Sequence, residues 1–365
     1  MSDLSGTCDY VLDPDDPETW DGEQGDVCYV DDELLNEEGV WTCPHSAEDG
    51  DLCIFHLPVD EKDDAEVVDA FLKVFEERSD GAATQERNSQ FLNARFGEFD
   101  LSEYPSEIAL SDGHLTMNHA TITGPLDWSE LVVSVPAIDL REIECGSTSK
   151  FTGTTFDGQT SFSGAEFDGG VSFDRAQFDD DVSFERGTFR GRTTFNLTEF
   201  HSESSFEFAE FSQRVSFERT DFGREANFYA ATFEGTTLFT KVTFEGYTNF
   251  GSTEFRDDAS FEGAEFKDSS FFVHAEFWGT TLFNEAAKAE FEESADFRSA
   301  EFRETVNFSE VGLAESQFDG ADLTDATFSG ADLLNTSFES ALLSRATLFE
   351  ADLRGAKLNG AVLGD

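Results

Sequence analysis

Four of the five cysteines fall within the first 53 residues, at Cys8, Cys28, Cys43 and Cys53, and His45 and His56 lie among them. Thiolates with an imidazole suit tetrahedral zinc. Cys53 and His56 are three residues apart, close enough to share one ion, and Cys43 precedes Cys53 by ten, a loop-sized separation. The expected donor set is Cys8, Cys43, Cys53 and His56, with Cys28 and His45 as substitutes. The expected role is structural, because an acidic, loop-rich segment with so little apolar content needs an ion to help it fold. The competing reading is a set of small buried thiols. Cys145, alone before the repeat, is expected to be packed.

No other residue pattern carries convincing chemistry. The sequence lacks GxxxxGK[ST], HExxH, GxSxG and GxGxxG. His114 and His119 read as structural, and His201 and His274 as solvated corner residues. Asp179–Asp181 lacks calcium-loop spacing and reads as a wet turn, and Asn196-Leu197-Thr198 is a glycosylation sequon only by accident. The chain does not read as an enzyme.

The elements that position these residues must come from an unusual composition. Of 365 residues, 78 are acidic and 23 basic, a net charge of −55. That excludes a basic nucleic-acid binder. No window approaches 18 consecutive apolar residues, and Met1-Ser2-Asp3 opens no signal segment, so a cytoplasmic protein off the membrane is expected. Five cysteines argue against a disulfide framework. Acidity spread along a folded chain suits molar salt, hence a halophilic source. A disordered acidic chain would not hold 41 Phe.

Those phenylalanines form a repeat. From Phe151 to Phe283 large residues recur at alternating steps of five and six, a period of 11. After an interruption at Asn284–Glu290 they resume at Phe297, Phe302 and Phe308, then run in steps of five from Leu313 to Leu363. The residue two before each centre is small, as in Ala165 before Phe167 and Val171 before Phe173. Residues i−2 and i share a side of an extended segment, whereas steps of five and six scatter side chains around a helix. A solenoid of short flat faces satisfies the pattern, each face sending one large and one small side chain inward.

Ala321-Asp322-Leu323-Thr324-Asp325, Ala331-Asp332-Leu333-Leu334-Asn335 and Ala351-Asp352-Leu353-Arg354-Gly355 resemble pentapeptide repeats, A-(D/N)-L-x-x. The resemblance covers roughly 151–365 and implies an all-β solenoid, a right-handed quadrilateral β-helix of about ten coils with a small N-terminal α/irregular cap. The extra residue in every second face predicts 22-residue coils with opposite bulges before 283, and 20-residue coils after 308. At about 4.8 Å per strand the rod would be roughly 48 Å long.

The domain reading is a Cys/His-rich, zinc-stabilised segment over 1–58, an amphipathic capping helix over 59–80, degenerate first coils over 81–150 and the repeat β-helix over 151–365. The helix rests on Val67, Val68, Phe71, Leu72, Val74 and Phe75, with Asp80-Gly81 as its stop. Phe96, Phe99, Leu101, Leu110, Leu115, Ile122, Leu126, Leu131 and Ile138 supply the irregular first coils. The repeat runs to Leu363 with no evident cap, so an end-to-end homodimer is expected there.

Three functions follow. The first is a non-enzymatic protein-interaction scaffold. The second is a DNA mimic binding a type II topoisomerase, as the resemblance implies for some family members. Residues 151–365 carry 41 acids and 16 bases, and −25 over the expected rod is one charge per about 1.9 Å, near the 1.7 Å of duplex DNA. Residues 1–150, with 37 acids and 7 bases, are more acidic still, which favours salt adaptation over mimicry. The third is a zinc module that binds the partner, with the rod as spacer.

Overall fold

The computed structural model describes residues 7–20, 28, 30–47, 51–76, 89–104, 107–110, 113–284 and 287–364. The chain is an all-β solenoid with little helix, built of four parallel sheets of nine or ten strands each, and isolated parallel bridges continue its coils to Val362. It divides into two compact units, Met1–Gly170 and Val171–Asp365.

In the first unit, β1 (Val11–Leu12) pairs antiparallel with β2 (Trp41–Thr42). The helix α1 spans Asp64–Glu76, shorter than the sequence pattern suggests. Val59–Glu61 is a single 3₁₀ turn after Pro58, and the Asp63 carboxylate accepts from the Ala65 and Glu66 amides at 3.0 and 3.3 Å. That side-chain cap fixes the helix start. The Asp80-Gly81 stop lies outside the described residues. Val67, Val68, Phe71 and Leu72 are buried. The Phe71 ring meets Phe91 at 4.8 Å and Phe99 at 5.0 Å, so the helix packs on the start of the coils.

The first coil consists of Arg95–Phe96, Phe99–Asp100, Glu107–Ala109 and His114–Thr116. We call the four sides they begin faces 1 to 4. Each strand pairs in parallel with the strand one coil later: Phe96 with Ile122, Phe99 with Leu126, Ile108 with Val133, and Leu115 with Ile138. All eight of these residues are buried. Cys145 occupies the inward position of face 1, beside Ile122 and Phe167, and is buried.

In the second unit the register is fixed at 22 residues from Val171↔Thr193 to Ala259↔Thr281. It becomes 25 where the interruption falls, Phe266↔Phe291, and 20 from Gly312↔Asp332 onward. The phenylalanines therefore stack in columns. Phe173, Phe195, Phe217 and Phe239 lie ring over ring at 4.8 to 4.9 Å and within 3° of parallel. This spacing is the strand separation of a sheet, so backbone ladder and ring stack share one repeat. Rings from adjoining faces meet edge-on, as Phe206 and Phe217 do at 5.6 Å. Buried threonines close the interior: the Thr198, Thr220 and Thr253 hydroxyls donate to the carbonyls of Phe173, Phe195 and Phe228. Each donor sits one coil and three residues beyond its acceptor, tying successive coils together.

Candidate metal centre

Pairing of β1 with β2 draws Cys8 towards Cys43. The Cys8 amide donates to the His45 carbonyl at 2.9 Å, and the Cys43 amide to the Tyr10 carbonyl at 3.1 Å. Cys53 and His56 enter on a tight turn, closed by His56 N–H to Cys53 O at 3.0 Å. The donor atoms of Cys8, Cys43, Cys53 and His56 all lie within 4.8 Å of one another, and all four residues are buried.

The spacing fits a tetrahedral ion. Cys43 and Cys53 sulfurs are 3.6 Å apart, and His56 Nδ1 lies 3.3 Å from Cys53 Sγ and 3.8 Å from Cys8 Sγ. Sulfurs bound to zinc at about 2.3 Å stand about 3.8 Å apart. His56 donates Nε2–H to the Leu92 carbonyl at 2.9 Å, which leaves the Nδ1 lone pair directed at the sulfurs. Hydrogen bonds with the Cys43 and Cys53 thiols pull Cys8 far below its ordinary pKa, while Cys43, hydrogen-bonded to Cys53 and Cys8, is pushed up. One thiolate is thus favoured among three sulfurs, and a divalent cation would favour all three.

The two substitute ligands sit elsewhere. His45 is held between Phe55 and Phe91, ring centroids at 4.7 and 5.0 Å, and donates Nε2–H to the Gln90 carbonyl at 3.0 Å. Burial lowers its pKa to about 4. Cys28 Sγ lies 3.4 Å from His119 Nε2, and burial raises its thiol to about 12.

Three contributors carried no signal in the sequence. Tyr10 stacks flat on the His56 ring at 4.0 Å. The Leu92 carbonyl orients the imidazole. Lys62 extends its ammonium into the carbonyls of Ile54 at 2.8 Å, Phe55 at 3.3 Å and Arg95, and burial lowers its pKa to about 8. The Arg95 amide donates to Phe55 O at 2.8 Å, so the Cys53–His56 turn is fastened to the first strand of face 1. These four buried residues form a group of donors that could hold a metal ion.

The family comparison agrees with the coil geometry. The pattern described as pentapeptide repeats (9 copies) matches residues 142–188, and pentapeptide repeats (8 copies) matches 307–345 and 335–365. Residues 142–188 and 307–365 therefore carry pentapeptide repeats. No curated protein matches the chain. Among solved structures it is similar to HetL, a pentapeptide repeat protein involved in heterocyst differentiation regulation from the cyanobacterium Nostoc sp. strain PCC 7120. That match has 19% identity over 62% of this chain and 89% of HetL, with a TM-score of 0.18. It is also similar to a trypsin-treated variant of QnrB1, a plasmid-mediated fluoroquinolone resistance protein, at 17% identity over 60% and 93% of the two chains, with a TM-score of 0.23. Full-length QnrB1 matches at 15% identity over 61% and 93%, with a TM-score of 0.19.

Proposed function

We propose that the chain is a non-enzymatic protein-interaction scaffold, a pentapeptide-repeat solenoid whose outward side chains do the binding and whose N-terminal segment is held by structural zinc. The observation that carries this reading is the filled interior. Phe195, Phe217, Phe239 and their column neighbours are fully buried, so only the outward residues of the repeat can meet another molecule. The test is capture with the full chain in molar KCl, followed by face-by-face substitution. A reproducible protein lost on changing one face and kept on changing the others supports the scaffold; no partner under any condition removes it.

The zinc assignment rests on the four converging donors. One zinc per purified chain, lost in Cys53→Ser, is the expected result, and well under one zinc per chain refutes it. If the metal segment were itself the binding module, exchanging residues 1–60 with those of a related chain would change partner choice.

The charge layout weighs against duplex mimicry. Arg192 and Arg214 precede the face 2 strands, and Arg175, Arg219 and Lys241 follow them, all exposed. Duplex DNA presents no cations at all, whereas face 2 mixes these five with the exposed carboxylates of Glu218, Asp257 and Asp258. Inhibition of a type II topoisomerase that is relieved by competitor duplex would reverse this preference. End-to-end pairing of two copies would cover Phe349 and Leu363, which are 68% and 62% exposed; a single-chain mass by light scattering in high salt excludes it.

A further inference from the structure

Face 4 of the second unit differs from its surroundings. Parallel pairing of Ser204 with Ala226 and of Ala226 with Thr248 sets the residues around these strands in columns. Glu203, Glu225 and Tyr247 occupy one column, each just before its strand, and Glu207 and Tyr229 share another just after it. Tyr229 and Tyr247 are 38% and 40% exposed beside these carboxylates, and Phe208, 42% exposed, meets Tyr229 edge-on at 5.9 Å. Tyr247 leans on Phe271 at 5.0 Å. Among the described residues no cation pairs with Glu203, Glu207 or Glu225. Burial, then the Glu203 charge, raises the Glu225 pKa, and burial with Glu225 raises that of Tyr247, so these groups crowd one another.

The same unit shows what such a combination holds. On face 1 the Arg303 guanidinium lies 3.9 Å from the Trp278 ring centroid and donates to Glu276 at 2.8 Å and Glu301 at 3.0 Å. An aromatic ring and two carboxylates on neighbouring coils thus form an arginine seat, filled from within. At Phe208 the pattern is half met, with Arg186 over the ring at 5.2 Å. At Tyr229 and Tyr247 the rings and carboxylates are present, and among the described residues no guanidinium lies over either ring.

We propose that face 4, around Tyr229 and Tyr247 with Glu203, Glu207 and Glu225, is the docking surface for an arginine-bearing basic segment of a partner protein. The proposal rests on the scaffold reading and names the face and chemistry of its partner. Charge complementarity brings the segment in; the rings select guanidinium over ammonium, because a planar delocalised cation stacks where a hydrated ammonium does not. An uncharged aromatic centre inside a charged rim is also the usual anatomy of a protein interface.

The test uses the full chain and two fluorescein-labelled peptides of equal length and charge, one with four arginines and one with four lysines, spaced by Gly and Ser. Binding is read by anisotropy at 0.15 M and 1 M KCl. The arginine peptide is expected to bind about tenfold more tightly than the lysine peptide. Tyr229→Ala with Tyr247→Ala is expected to remove that preference, and Thr194→Ala on face 2 to keep it. Should the tyrosine pair perturb folding, Glu207→Gln with Glu225→Gln reads the same site and is expected to weaken arginine binding severalfold. Equal binding of the two peptides, or binding unchanged in both double variants, overturns the proposal and leaves only diffuse attraction to an acidic chain. A natural partner that binds the tyrosine variant as well as the parent overturns this face while sparing the scaffold; failure to find any partner strikes the scaffold alone.

Discussion

The coils before Phe283 and those after Phe308 turn their corners differently. In the 22-residue coils a non-glycine residue in the left-handed region recurs every eleven positions, at Arg175, Arg186, Leu197, Phe208, Arg219, Ala230, Lys241 and Ser252, with φ of 54 to 59°. In the 20-residue coils a left-handed residue, glycine or not, recurs every five, from Glu310 and Glu315 through Gly320, Asp325, Gly330 and Asn335 to Gly360. Two corners of each 22-residue coil therefore use an additional residue where the 20-residue coil uses left-handed backbone. A left-handed non-glycine residue costs about 1–2 kcal/mol, and ordering one more residue about 1–2 kcal/mol. The two solutions are nearly equal in cost, which explains how both occur in one unit.

Glycine marks the difference. Gly330 sits at a left-handed corner with φ of 69°. Gly235 sits at a six-residue corner, where a Cβ would stand 2.6 Å from the Gln213 carbonyl carbon and 2.8 Å from the Arg214 nitrogen. One glycine serves conformation, the other close approach of two coils.

Six substitutions, taken in order of expected effect, test this comparison. The largest effect should come from what both regions share: Phe217→Ala, which opens the ring column, is expected to cost about 3–5 kcal/mol in chemical denaturation, and Leu333→Ala in the shorter coils about 2–4. Next, Gly235→Ala should cost about 1–3 kcal/mol by pushing backbone against backbone, and Gly330→Ala only about 1 kcal/mol, for its φ alone. Equal losses at the two glycines would mean that the corners do not differ as described. Ala230→Gly, relieving a left-handed alanine, should change stability by no more than about 1 kcal/mol, in the stabilising direction.

The smallest effect is at the six-residue corner of His201. Its Nδ1 lies 2.8 Å from Asp179 and its Nε2 3.2 Å from Glu199, and its pKa is raised, chiefly by the Asp179 hydrogen bond. A raised pKa means that the contribution is complete below the unfolded value of about 6.5 and is lost as pH rises through the folded value. An NMR titration should place His201 above about 6.5 at low salt, moving back towards it in molar KCl. His201→Gln should remove that part of the pH dependence.

Much of this is legible in the order of the residues. The alternation of five and six between Phe151 and Phe283 yields the 22-residue register because side chains that must stack can do so only coil on coil. The left-handed corners are not legible, since Arg219, Leu197 and Phe208 are poor indicators of that backbone; the fold imposes it through backbone hydrogen bonds such as Arg219 N–H to Thr240 O at 3.0 Å. The donor set of the metal centre is readable from residue types. Tyr10, the Leu92 carbonyl and Lys62 are not, because their roles come from residues brought together over 30 to 50 positions of chain, as with His56 and Leu92 or Lys62 and Arg95. The helix is legible too, but its start reads too early because the apolar pattern does not report the Asp63 cap.

The eleven-residue half coil has a consequence for how such a chain can change length. In the 22-residue coils of the second unit faces 1 and 3 both turn Phe inward, as at Phe189 and Phe178, and faces 2 and 4 both turn a smaller residue inward, as at Val171 and Val182. Gaining or losing 22 residues leaves every later side chain on its own side. Gaining or losing 11 leaves the ring columns equally well filled, yet carries everything downstream to the opposite side. A single half-coil duplication could thus move a binding face by half a turn without disturbing the core, so inheritance in this molecule can rewrite what is displayed while conserving what is buried.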